Sequence, residues 1–257
     1  MKPATSDPFA AVATAVAAAK WEQARAELQR LQKTLDPRLA PQIQAWRYRI
    51  APFWWQPLQG GGIVLRRTHA GDADFYRSCF ADPGFASRYN RQPPWKGDLA
   101  RALLLAGTRS PVDLTAQHWI VTDRSDSAIG LAALTSLNPA NRKAEFSIGF
   151  PGVGPSNPSG SAGRSAMATL LVFHFAFFLA GLNKLTAYVY SGNEVALRSA
   201  QRIGFQIEGL LKDHFFLPPG EFVDVHALGL TRTQLLANAE ILRMSRRRLG
   251  LQWAGRS

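Results

Sequence analysis

Cysteine is almost absent. Cys79 stands alone in 257 residues, which excludes an intrachain disulfide and any cysteine-rich metal site and makes a reducing compartment the default. No histidine lies near Cys79 in sequence to activate it as a nucleophile, so it reads as a small buried apolar residue. The five histidines are scattered without metal-ligand spacing. Long apolar runs are also missing: the longest, Met167–Leu182, is interrupted by His174 and is too short to span a bilayer comfortably. The Ala-rich run Phe9–Ala19 lies behind Asp7, and alanine is the strongest helix former, so a helix of a soluble, cytoplasmic protein is expected rather than a signal peptide. Acidic residues are scarce, with 18 Asp and Glu against 30 Lys and Arg and a net charge of +12. The excess is densest after residue 239, where Arg243, Arg246, Arg247 and Arg248 fall on a helix-like stretch. No nucleic-acid-binding motif accompanies them, which argues against a nucleic-acid partner.

With 46% apolar residues, the chain can bury one core of roughly 170 residues plus a smaller unit. Residues 1–58 form that smaller unit. Trp21, Ala24, Leu28 and Leu31 recur at helical spacing, Asp36-Pro37 breaks the pattern, and Ala40–Ile50 resumes it. The Trp-x-x-Ala-x-x-x-Leu pattern ending in Asp-Pro resembles a tetratricopeptide hairpin. Such hairpins cannot bury their apolar face alone and must pack on the rest of the chain, on a second copy, or on a partner protein. The aromatic stretch Pro52-Phe-Trp-Trp-Gln-Pro57 reads as a docking clamp through Trp54 and Trp55, with residues 59–62 as a flexible glycine linker.

Residues 144–205 carry the chemistry. A strand (Ala144–Phe150) runs into the loop 151–163, which holds four glycines, and a helix follows from Arg164 to about Ala180. A glycine-rich turn opening into a helix gathers unpaired backbone N–H groups and the positive helix end at one point, the usual setting for a phosphate. A second strand (Lys184–Tyr190) is followed by Asn193, placed to cap the next helix, and by Gly204-Phe205.

In that order, Arg142–Gly149, Gly160–Gly163, Leu182–Tyr190, Asn193–Phe205 and the hairpin 204–230 resemble the acyl-CoA-binding core of the GNAT superfamily of N-acyltransferases. The branch most similar in appearance acetylates the N-termini of ribosomal proteins. The resemblance spans about 62–235 and implies a mixed α/β (α+β) fold: a central, mostly antiparallel sheet of about seven strands, splayed at the donor site and flanked by helices. The catalytic domain is thus expected over 63–235, after the helical domain, with a basic C-terminal helix or tail over 236–257.

The resemblance implies that the pyrophosphate of acetyl-CoA, or of another short acyl-CoA, rests on Ser161, Ala162, Gly163, Arg164 and Ser165, with Ile148, Gly149 and Asn193 beside the donor. This chain departs from the family at the loop start, where Pro158 and Ser161 replace the usual Gln or Arg and Gly. No metal is implied. The acceptor is a primary amine, either of a protein (N-terminus or side chain) or of an amino-sugar or its nucleotide conjugate. Glu145 is the expected base, since direct attack requires the amine to lose a proton. The family's usual thiolate-protonating Tyr is replaced by Ala200, which cannot donate a proton. Tyr188 and Tyr190, on one face of their strand, are the substitutes. His214 and Asp224 face each other across the expected hairpin as a relay, while Arg88, Arg91 and Trp95 offer cations and an aromatic to the acceptor. Without its usual Tyr and loop start, the chain also suits a CoA-binding regulator or assembly factor that recruits a partner through residues 1–58. A homodimer is a further expectation.

Overall fold

A computed structural model describes residues 7–34, 36–86, 88–89, 97–152, 162–217 and 220–253. The N-terminal region contains helices α1 (Ala10–Ala17), α2 (Trp21–Gln32) and α3 (Ala40–Arg49). Alanine drives α1, and Asp36 stops the chain between α2 and α3 by accepting the Arg38 N–H ahead of Pro37. The helices share a core of Phe9, Val12, Ala15, Val16, Ala24, Leu28, Ile43 and Ile50. Each large aliphatic side chain buried there contributes about 1.5–3 kcal/mol.

This unit is fixed to the remainder by specific contacts. The Tyr48 hydroxyl donates to the Ala180 carbonyl at 2.9 Å, and Arg49 pairs with Asp113. Trp54 is buried with its ring 5.3 Å from that of Phe175, and its indole N–H donates to the Tyr48 carbonyl. Trp55 stacks on Trp21 at 4.1 Å. The helices therefore pack on the rest of the chain, and both tryptophans dock the two parts.

The expected glycine linker is instead a hairpin. Strand β1 (Leu58–Gly60) pairs antiparallel with β2 (Ile63–Arg67), Leu58 opposite Leu65 and Gly60 opposite Ile63. Gly61 and Gly62 close the turn at φ +59° and +82°. Two successive left-handed residues suit a two-residue hairpin turn, and burial of Leu58, Ile63 and Leu65 anchors both strands. The sheet consequently has eight strands, one more than expected.

The remaining strands are β3 (Gln117–Thr122), β4 (Ala128–Asn138), β5 (Lys143–Gly149), β6 (Lys184–Tyr190), β7 (Gln206–Leu217) and β8 (Glu221–Thr231). They lie in the order β1-β2-β3-β4-β5-β6-β8-β7. All neighbours are antiparallel except β5 and β6. A parallel pair needs a crossover, and helix α8 (Ala162–His174) supplies it. Its last turn widens through Phe175–Leu179, where the Ala180 N–H reaches the Phe175 carbonyl five residues back.

Apolar residues of α8 and Phe175–Phe177 pack on one face of the sheet, with Phe146, Leu185, Leu228 and Leu230, in the main core. Helix α9 (Glu194–Arg202) joins the same core through Leu197. Helices α4 (Ala73–Ala81), α5 (Pro83–Ala86) and α6 (Leu99–Thr108) cover part of the opposite face, packing Tyr76, Cys79, Phe85, Tyr89 and Leu103 on Ile120 and Leu131. Asp98 caps α6 by accepting the Arg101 N–H. The short α7 (Pro111–Leu114) leads into β3, and α10 (Arg232–Ala237) and α11 (Ala239–Leu249) follow β8.

Gly107 shows how tightly α6 is seated. A Cβ there would lie 1.8 Å from the Thr68 carbonyl oxygen, and the Thr68 hydroxyl bonds to the Leu103 carbonyl on the same helix. Gly107→Ala should therefore destabilise the protein by about 1–3 kcal/mol through overpacking, outweighing the gain of about 1 kcal/mol in helix propensity. Chemical denaturation checks this; an unchanged or raised midpoint would show that α6 shifts freely.

Candidate active site

β5 and β6 part company after a short contact. Only Lys143–Glu145 pair with Lys184–Thr186, although each strand is seven residues long. Past that point β5 remains paired to β4 through Gly149, and β6 remains paired to β8 through Tyr190. A slot opens between two otherwise intact half-sheets.

Glu145 stands at the last paired position, opposite Thr186. Alternation puts Ala144 and Phe146 in the main core, and Glu145, Ser147 and Gly149 on the other face. The same alternation on β6 turns Leu185, Ala187 and Val189 to the core, and Thr186, Tyr188 and Tyr190 to the face of Glu145. Burial raises the phenol pKa of Tyr190 above its ordinary value, so its proton is held throughout the neutral range. Phe215 meets both tyrosines edge-on, at 6.4 Å from Tyr188 and 5.9 Å from Tyr190. Glu145, Tyr188 and Tyr190 thus share one face at the mouth of the slot.

An aromatic wall on that face went unread in the sequence. Phe85 and Tyr89 stack at 4.9 Å, and Phe80 meets both edge-on. The Tyr89 hydroxyl lies 3.4 Å from the Ser147 hydroxyl. Gly149 makes this approach possible, since a Cβ there would fall 2.6 Å from the Tyr89 ring and 2.8 Å from Phe85. Period-two spacing from Glu145 to Ser147 and Gly149 was the available signal. Asp82 secures the base of the wall by accepting N–H groups of Gly84 and Gly152. The Gly152 bond, with burial opposing it, holds the carboxyl below the usual carboxylate range.

On the donor side, α8 begins at Ala162, with Gly163 and Arg164 exposed and Ser165 half-buried in its first turns. Asp123 is held below the usual carboxylate range, chiefly by the Ser125 hydroxyl, with the charge of Arg164 adding to the effect. Ile148 packs against the main core. Asn193 caps α9, its side chain accepting the Ala196 N–H at 3.1 Å. Ser161 lies outside the described residues. Ala200 packs on the main core, on the sheet face opposite the tyrosines.

On the acceptor side, Arg88 follows α5, with its guanidinium beside Gly84 and Asp82. Arg91 and Trp95 lie outside the described residues. The expected His214–Asp224 relay is not formed. Asp224 receives the Lys212 ammonium at 2.6 Å and the Asp213 N–H at 3.0 Å, while His214 lies against Tyr188 and meets Phe215 edge-on. The cause is an irregularity in β7 between Leu211 and Phe215. Extra residues on one strand shift which side chain meets Asp224. Cys79 is buried and its thiol pushed up to about 12 by that burial, which removes it as a nucleophile. Among the described residues, no cluster of His, Cys, Asp or Glu can hold a metal, and no helix is long and apolar enough to cross a membrane.

A sheet opened between two parallel strands, with a helix N-terminus at one end and a carboxylate and phenols at the mouth, is the framework of an acyl-transferring enzyme. Residues 63–206 match the family model described as acetyltransferase (GNAT) domain, more than half of the chain, and the chain belongs to that family. It is an N-acetyltransferase with acetyl-CoA as co-substrate.

Among curated relatives, spermidine N(1)-acetyltransferase of Vibrio cholerae is 24% identical over 69% of this chain and 98% of its own length. The Escherichia coli K12 enzyme of the same name is 28% identical over 49% of this chain and 63% of its own. The fold matches the crystal structure of spermidine N-acetyltransferase from Vibrio cholerae in complex with CoA and spermine with a TM-score of 0.56, at 23% identity, over 68% of this chain and 98% of that one.

Gly149→Ala should push Tyr89 and Phe85 off the strand. A displacement of about 1 Å can cost about a hundredfold in turnover, so kcat/KM for the amine should fall at least tenfold, and by more than the dissociation constant for CoA rises. Steady-state kinetics beside calorimetric titration separate the two; equal losses in both would place Gly149 in donor binding alone.

Proposed function

We propose that the protein acetylates a primary amine by direct attack on acetyl-CoA, with Glu145 as the base. The position of Glu145 at the fork of β5 and β6 carries this reading. The amine nitrogen attacks the thioester carbonyl carbon and loses a proton to the Glu145 carboxylate. The C–S bond then breaks, and the departing thiolate takes a proton from the Tyr190 phenol, with Tyr188 as the neighbouring alternative. The first turn of α8, with Gly163, Arg164 and Ser165, holds the pyrophosphate through backbone N–H groups and the helix dipole. Ile148, Gly149 and Asn193 border the acyl-bearing arm. No covalent enzyme intermediate is required.

The acceptor is an amine on a protein, with an N-terminus first, rather than a polyamine. Polycation recognition requires free carboxylates along the acceptor path. Between Ala73 and Arg101 there are three acidic residues, and each is already engaged: Asp74 pairs with Arg77, Asp82 accepts backbone N–H groups, and Asp98 caps α6. Arg77, Arg88, Arg91, Lys96 and Arg101 make this stretch net basic. The resemblance to the ribosomal-protein branch supports the same choice, while an amino-sugar carrying phosphate is the second acceptor for these cations. A cytoplasmic setting belongs to this reading. So does a second copy of the chain: β7 is an outer strand, and Ile207, Leu210, Phe216 and Phe222 on the β7–β8 hairpin are exposed.

Glu145→Gln should lower kcat by about 10²–10⁴ with donor affinity nearly unchanged; undiminished turnover removes Glu145 from the mechanism. A free-thiol release assay over spermidine, peptide N-termini and amino-sugars tests the acceptor. Peptides should exceed spermidine in kcat/KM, and the reverse order would return the acceptor to the polyamine named in the relatives.

A further inference from the structure

The turn Gly60–Gly62 is a meeting point for three elements outside the catalytic mouth. A Cβ on Gly60 would lie 2.7 Å from a Leu249 methyl at the end of α11, one on Gly61 would lie 2.8 Å from Met167 on α8, and one on Gly62 would lie 3.1 Å from Arg124 Nε. Met167 is four residues beyond Gly163, so the turn lies about 6 Å along the axis from the first turn of α8. Arg246 precedes Leu249 by three residues and shares its side of α11. Buried Ile241 and Ser245 fix that helix against the core. Arg124 and Arg246 are both exposed, and neither makes an ion pair among the described residues. The acids close by are occupied: Asp123 accepts from Ser125 and Ser127, and Asp126 faces Arg66 at 3.7 Å.

We infer that Arg124 and Arg246 recognise the phosphomonoester on the ribose of CoA, the group that distinguishes it from dephospho-CoA. The inference rests on the donor placement given under Proposed function. A pyrophosphate diester is satisfied by backbone N–H groups and a helix dipole. A phosphomonoester carries a charge of about −1.5 to −2 near neutrality and three strong acceptor oxygens. That calls for fixed cations, and the guanidinium fork fits it in a two-bonded geometry. Two unpaired arginines, one on the β3–β4 turn and one on the C-terminal helix, flank the turn beside the α8 N-terminus. The C-terminal segment, outside the part that matches the family model, thereby gains a function in donor selection.

Calorimetric titration of the full chain with CoA and with 3′-dephospho-CoA tests this, in the wild type and in R124A/R246A. The wild type should bind CoA about ten- to a hundredfold more tightly, as charged hydrogen bonds imply. The double variant should bind CoA only as well as the dephospho form, with dephospho-CoA affinity unchanged. Equal wild-type affinities, or a variant that still discriminates or loses both ligands equally, would overturn the assignment. The wild-type comparison stands even if the variant does not fold. Wild-type protein that binds neither form would instead overturn the donor placement itself.

Discussion

The parting of β5 and β6 after three residue pairs is the constraint on which the rest of the molecule depends. Two strands that stop pairing inside one sheet leave facing backbone N–H and C=O groups without each other, a loss that folded chains rarely tolerate. It is tolerated because each strand keeps a full antiparallel partner on its outer side, β4 for one and β8 for the other. The inner edges are then available to an amide-bearing thioester arm. The fork also sets the geometry of reaction: whatever enters from the α8 side meets, at the crotch, the face bearing Glu145.

Holding a fork open requires rigid material behind it. Phe146 on β5 and Phe173 on α8 meet at 5.8 Å, and Phe205, at the end of the turn after α9, stacks on Phe146 and lies tilted against Phe173, 6.0 Å from each. These rings tie both half-sheets to the crossover helix from beneath. The helical N-terminal unit extends the same brace, since Trp54 and Phe53 pack on Phe175 and Tyr48 bonds to Ala180 just past the widened turn. Such a unit is more than an appended handle. Its aromatics buttress the end of the helix whose beginning is proposed to receive the donor.

Much of this was legible because it is local. Period-two alternation placed β5 and β6 within a residue of their observed ends, and Asn193 announced its cap. The family resemblance carried by those segments then implied a sheet splayed at the donor site. What escaped depended on distant partners. Three glycines in a row read as a linker until Ile63 and Leu65 paired with Gly60 and Leu58 across the turn. The His214–Asp224 pair failed because an irregularity in β7 has no reliable sequence mark, and a shift of register exchanges the neighbours of every following side chain. Tyr89 could be joined to Ser147 only by folding α5 over the sheet, across a separation of 58 residues.

The alanine at position 200 follows from the same geometry. Ala200 packs on the face of the main core, whereas the phenols of β6 lie on the face that carries Glu145. Under the proposed mechanism a proton donor supplied from β6 lies on the face of Glu145 rather than across the sheet from it, which leaves α9 free to be a packing helix. The chemistry permits the change. A thiol of ordinary acidity, with a pKa of about 8.5, leaves as its anion far more readily than an alkoxide, whereas an ammonium ion cannot attack until its proton is removed. The base is thus the stricter requirement of the proposed mechanism, and Glu145, proposed for it, stands at a fixed point of the fold, the last paired residue before the strands separate. Donor groups can drift between elements as long as one reaches the sulfur. The carboxylate cannot, because moving it by one residue along β5 would turn it into the aromatic core.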